Sequence, residues 1–213
     1  MSIFNKGILG GFSGTIGTIV GYNWRGLDVM RSRPKKSNRK ASPAQLEVRA
    51  RFAVTSHFLA QIKEVLAVYF GAPSGSKSRF NQAFTYHRLE ALSGTYPNFQ
   101  IDYPKVIISK GELLGVDQPA VAAQAGAALR FTWQDNSGLG QAKATDGLLV
   151  VVYNPARDVF AYRTQAAMRA DGVFLYELPP TWVGNTAHIW ISMTNPTGQK
   201  CANSLYLGAV ALV

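Results

Sequence analysis

Seven glycines (Gly7, Gly10, Gly11, Gly14, Gly17, Gly21 and Gly26) interrupt the apolar residues Ile8, Leu9, Phe12, Ile16, Ile19, Val20, Tyr22 and Trp24 near the N-terminus. Glycine gives up more backbone freedom on folding than any other residue, so a run this dense does not order itself. Its apolar side chains still need shelter from water. Residues 7–34 are therefore read as an extended arm that docks, either on its own body or on a neighbouring molecule. Within it, residues 20–24 and 27–33 flank Arg25-Gly26, which predicts a tight hairpin with glycine supplying a positive φ. Alternation then puts Leu27, Val29, Arg31 and Arg33 on one side of the second strand, with Asp28, Met30 and Ser32 on the other.

Charge sharpens the division of the chain. The formal net charge is +10, but residues 1–110 hold 16 Lys and Arg against 5 Asp and Glu, whereas residues 111–213 hold 6 against 7. A basic front half points to an acidic partner or to a solvated, soluble surface. The densest cations are Arg31, Arg33, Lys35, Lys36, Arg39 and Lys40, in a Pro- and Ser-containing connector. Such a segment neutralises phosphates, or serves as a plain charged linker. It lacks interleaved aromatics for base stacking and matches no DNA-binding helix pattern.

Ser42-Pro43-Ala44-Gln45 is a helix start, with a capping serine, proline at the first helical position and glutamine three residues after the cap. Apolar spacing predicts a helix over 43–70, stopped by Gly71 and Pro73, and a second over 78–93, ended by Gly94. Together they make a helical hairpin. His57 and His87 on these helices are read as surface or core residues.

After Gly94 the period changes to two. Residues 96–103, 105–109, 127–134, 148–153, 160–164, 173–178, 187–194 and 204–212 read as extended segments or strands, with turn dipeptides between them. About seven strands at this spacing predict an antiparallel β-sandwich of the immunoglobulin or fibronectin III type. The Cys…Trp…Cys signature of true immunoglobulin domains is missing, because Cys201 is the one cysteine. No intrachain disulfide is possible.

The sequence carries few patterns that imply chemistry. Phosphate-cradle, nucleophile-elbow and zinc-binding patterns are all absent. Gly138-Leu139-Gly140 lies between strands, and Asp117, Asp135, Asp146, Asp158 and Asp171 fall mostly at turns, where aspartate bonds the local backbone. No catalytic residue, metal ligand or cofactor is expected, and the chain is read as not an enzyme. No apolar run is long enough to span a membrane as a helix. Lys6 and the glycine-broken stretch after it do not make a cleavable signal peptide. That reading leaves a cytoplasmic or particle-associated location, with export by another route open.

Residues 14–34, with the spacing G-x-x-G-x-x-x-G-Y-x-W-R-G-x-D-V-x-R-S-R-P, resemble an uncharacterised bacterial domain-of-unknown-function family. Ser42-Pro43-Ala44-Gln45 with Arg49-Ala50-Arg51-Phe52 is similar to its second motif. Tyr153-Asn154-Pro155, Arg169, Leu178-Pro179, Gly184 and Asn203-Ser204-x-Tyr206-x-Gly208 are similar to its C-terminal pattern. The resemblance implies no activity. The short second motif also looks like stretches of phage-type structural proteins.

The expected fold is α+β: an extended Gly-rich N-terminal arm and basic linker over 1–41, a helical hairpin over 42–94 and a β-sandwich over 95–213. The expected function is a non-enzymatic, self-assembling structural subunit that builds a filament, ring or phage-like particle. Its arm residues Ile16, Ile19, Val20, Tyr22 and Trp24 would dock head-to-tail on the next copy, by adding a strand to an open edge. One alternative is a nucleic-acid-associated packaging protein using the basic segment. Another is a surface module whose sandwich loops hold a ligand, with Trp182 as a loop aromatic or as a buried corner residue.

Overall fold

The computed structural model describes residues 12–35, 39–73, 75 and 77–213, together with the backbone of residues 2 and 3. The chain forms two compact units, Met1–Ser42 and Pro43–Val213. Gly7, Ile8, Leu9, Gly10, Gly11 and Lys36 lie outside the described residues.

The first unit is a four-stranded antiparallel sheet built from β1 (Ser2–Ile3), β2 (Gly14–Ile16), β3 (Ile19–Trp24) and β4 (Leu27–Ser32), in the order β1-β4-β3-β2. The β3–β4 turn falls at Arg25 and Gly26, both at positive φ (52° and 82°), as a two-residue type I′ hairpin requires. Asn23 supports it: its Oδ1 accepts the Gly26 amide and its amide donates to Asp28, each at 3.0 Å. The strands expected in the arm are thus present, but they pair with one another inside the unit.

The second unit opens with α1 (Pro43–Ala60) and α2 (Lys63–Tyr69), where apolar spacing predicts one helix to residue 70. The ladder breaks at Gln61 and Ile62. There the Ile62 amide bonds Leu59 O, three residues back, before regular bonding resumes with Leu66 to Ile62. Phe58, Ile62, Val65, Leu66 and Tyr69 are buried on both sides of the break. The apolar stripe runs straight through it, so side-chain period carries no trace of the interruption. Next, α3 (Arg79–Glu90) is capped by Ser78, whose Oγ accepts the Asn81 amide at 3.2 Å.

Gly94 does not end that helix. It sits in β5 (Leu92–Thr95), paired with β6 (Asn98–Ile101), at φ 89°, where a Cβ would lie 2.3 Å from Asn98 O. Of residues 105–109, expected as a strand, Lys105 ends a 3₁₀ turn at Tyr103–Lys105 and none lies in a strand.

Seven strands then form two antiparallel sheets. These are β7 (Asp117–Gln124), β8 (Ala128–Gln134), β9 (Gly147–Asn154), β10 (Val159–Arg163), β11 (Val173–Glu177), β12 (Thr186–Thr194) and β13 (Leu205–Ala211). Their orders are β10-β9-β12-β13 and β11-β8-β7. The chain passes between sheets after β8, β10 and β11, the crossing pattern of an immunoglobulin- or fibronectin III-like sandwich. Strand β7 carries no strand signal in its sequence, because Ala, Gln and Pro, residues with little strand preference, dominate it.

Strand β9 explains how helices and sandwich fit together. Its sequence GLLVVVYN is buried at every position, the mark of a strand covered on both faces. Leu148, Val150 and Val152 join Leu129, Phe131 and Ile189 in the core between the sheets. Leu149, Val151 and Tyr153 point the other way and pack with Phe58, Leu59, Ile62 and Leu66 of the helices and with Trp190 of β12. Helices and sandwich therefore share a core in one unit, where composition divides them at residue 94.

Candidate assembly surface

The register of the N-terminal sheet fixes what each face presents. Val20, Tyr22 and Trp24 stand opposite Arg31, Val29 and Leu27, so these six share one face. Ile19, Gly21 and Asn23 stand opposite Ser32, Met30 and Asp28 on the other, with Ile16 opposite Ile19. Both faces leave apolar side chains in water: Ile16 is 57% exposed, Ile19 and Trp24 44% each and Leu27 38%. Val20 and Tyr22 are half-buried. Among the described residues of this unit, Gly21 and Val29 are the buried ones.

Two contacts organise the sheet locally. Phe12 lies over Gly21 so closely that a Cβ there would fall 2.5 Å from Cε2 of the ring and 2.6 Å from Phe12 O. Gly21 is therefore fixed by close approach, not by backbone conformation. On the opposite face the Arg25 guanidinium lies 5.3 Å from the centre of the Trp24 ring, and that of Arg31 lies 5.7 Å from the Tyr22 ring, each within cation–π range.

The basic segment begins on this sheet. Arg31 is at the end of β4 and Arg33 just beyond it, where the Arg33 amide donates to Thr18 O at 2.7 Å. Arg31, Arg33, Lys35, Arg39 and Lys40 are all exposed. Among the described residues no helix is long and apolar enough to cross a membrane, and no cluster of His, Cys, Asp and Glu could hold a metal ion.

The second unit holds two polar arrays that sequence reasoning did not assemble. In the first, Asp158 in the β9–β10 turn accepts the Tyr153 hydroxyl at 2.7 Å and meets His57 Nε2 at 2.5 Å. These two bonds hold the Asp158 carboxyl below its usual range. Burial and the neighbouring carboxylate push the Tyr153 phenol up. The array ties α1 to the sandwich. In the second, the fully buried Arg169 donates to Leu114 O, Gly115 O, Asn136 and Asp146. Asp135, Asp146 and Asp171 each accept a backbone amide two or three residues away, the local role expected of turn aspartates. Trp182 is 3% exposed and packs between the sheets, so it is the buried corner residue of the two readings.

No signal at fixed spacing could have found these arrays, because His57 and Asp158 are 101 residues apart. Arg169 was singled out only through the resemblance to a family pattern.

A family model described as "Family of unknown function (DUF6266)" matches residues 11–208. No curated protein matches the chain. Solved structures similar to part of it include the fn3 domain of human collagen alpha-1(XX), at 13% identity and a TM-score of 0.34, covering 49% of this chain and 90% of that one. Another is the fn3 domain of human contactin 1, at 7% identity and a TM-score of 0.33, covering 49% and 83%.

Proposed function

The chain belongs to this family of unknown function, and we propose that it is a non-enzymatic structural subunit that assembles with further copies of itself through its N-terminal sheet. The observation that carries this reading is the exposure of Ile16, Ile19, Trp24 and Leu27 in a unit where Gly21 and Val29 are the buried ones among the described residues. Units near 40 residues usually need a disulfide, a metal or a partner to stand. The single cysteine, Cys201, lies in the other unit, so no disulfide can staple this one. A partner remains.

Energetics agree with that choice. Fully burying a large apolar side chain gives about 1.5–3 kcal/mol, so covering the exposed half of each of these four gives roughly 1 kcal/mol apiece. That is about 4 kcal/mol per copy, which offsets part of the cost of ordering and docking a glycine-rich sheet. Strand β2 stands at one end of the sheet order, where a neighbouring strand can add. If the acceptor surface lies elsewhere on the next copy, assembly is head-to-tail and grows into a ring or filament.

Light scattering on the purified chain tests the reading. The expected mass is a multiple of the monomer, falling to the monomer in the Ile19→Ser/Trp24→Ser variant while the helical and strand signals in circular dichroism persist. A wild-type chain that stays monomeric at high concentration removes the proposal.

The exposed cations Arg31, Arg33, Lys35, Arg39 and Lys40 support a second reading, in which the assembly packages nucleic acid. Binding to a DNA fragment should then weaken steeply with salt. Absence of binding at low salt eliminates this reading.

A further inference from the structure

One end of the second unit carries a groove whose walls come from segments far apart in sequence. A hollow of about 460 Å³ is lined by Arg79, Lys110, Glu112, Gln199, Lys200 and Asn203. A second, of about 530 Å³, shares Lys200 and adds Gln141, Lys143, Thr145 and Thr197. A third shares Glu112 and Asn203 with the first and Gln141 with the second. Lys200 Nζ donates to Gln141 Oε1 at 3.1 Å where the hollows meet.

The charges along this groove are unbalanced. Arg79, Lys110, Lys143 and Lys200 line it, and none of them forms an ion pair among the described residues. Of the two lining carboxylates, Asp146 is buried and already committed to Arg169. Glu112 is the one left. Arg79 is anchored through a hydrogen bond to Val68 O, while its Nε is buried with no partner. With four cations against one uncommitted carboxylate, the concave site is net positive and favours a counter-ion, and the anchored Arg79 guanidinium offers donors for an oxyanion. The rest of the wall is mixed: Gln141, Thr145, Thr197, Gln199 and Asn203 offer amide and hydroxyl groups beside the apolar Val68, Ala72, Leu113 and Pro196.

We propose that this groove binds a small ligand bearing two or more oxyanion groups, as phosphates or carboxylates. The hollows match the size of small-molecule sites. Lys143 and Lys200 come from the half of the sequence that is close to neutral, and folding gathers them with Arg79 and Lys110 from the basic half. None of its lining residues belongs to the cationic segment 31–40.

Thermal unfolding of the full chain in pyrophosphate or citrate, against sodium chloride at matched ionic strength, is the test. A saturating anion should raise Tm by about 5 °C or more, and the two anions show whether phosphate or carboxylate is preferred. Lys110→Gln/Lys200→Gln should lose most of that rise, and Lys63→Gln/Arg157→Gln should keep it. In the wild-type chain, amide NMR shifts should move within residues 110–115, 139–146 and 195–203. A rise no larger than in chloride, an equal rise in the groove variant, or shift changes centred on residues 31–40 each overturns the proposal.

Discussion

Arg169 has no exposed surface, and its guanidinium reaches Leu114 O at 2.8 Å, Gly115 O at 2.7 Å and Asp146 Oδ2 at 3.1 Å. Its own carbonyl accepts the Trp133 indole N–H at 2.8 Å. Removing one partner of a buried pair strands the other charge, which costs about 3–5 kcal/mol. Arg169→Met should lower stability to urea by that much, and adding Asp146→Asn should recover part of it; a loss under about 1 kcal/mol contradicts the role given to this pair. His87 is equally buried but neutral. Its Nδ1–H donates to Ala83 O at 2.7 Å and its Nε2 accepts the Ile107 amide at 3.3 Å, while burial holds its pKa down to about 4. The unfolded chain binds that proton near pH 6.5, so the native state is favoured fully above 6.5 and loses about 3 kcal/mol as pH falls to 4. Urea midpoints across this window should fall more steeply for wild type than for His87→Gln. Equal slopes would show that His87 does not stay neutral in the fold.

At the scale of elements, the β3–β4 hairpin and the sandwich strands were legible for one reason: each has a local cause written in consecutive residues. Arg25-Gly26 marks a turn, and Leu129, Phe131 and Trp133 alternate along β8. The break between α1 and α2 was not legible, because the apolar stripe crosses it unchanged. Gly94 misled because a glycine after a helical period reads as a stop, whereas here Asn98 O leaves no room for a Cβ. The apolar content of the arm could be read from composition, but which side chains stay exposed, and on which face, needed the register. Gly21 carries the element-scale prediction. In Gly21→Ala the new Cβ must displace Phe12, at about 1–3 kcal/mol. Hydrogen exchange of the β3 and β4 amides should speed up about tenfold or more, with β9 and β12 unchanged. Unaltered exchange in β3 and β4 would mean that Phe12 does not lie over Gly21 in solution.

For the whole molecule, the two units divide the work. Residues 43–213 bury a strand on both faces and hold their own core, whereas residues 1–42 leave apolar side chains on both faces of a small sheet. Sequence composition already separated a basic, glycine-rich front from a neutral sandwich. It could not show that the helices cover one sheet of that sandwich, since this depends on β9 presenting Leu149 and Val151 outward. Nor could it show the cationic groove, which exists only once residues 79, 110, 143 and 200 are brought together. The central claim is that a second copy covers the N-terminal sheet, and oxidative footprinting of Trp24 and Tyr22 across a dilution series tests it most directly. Both rings should be protected at high concentration and become reactive as the assembly dilutes to monomer, while the buried Trp190 stays protected throughout. Equal reactivity of Trp24 at every concentration would contradict it.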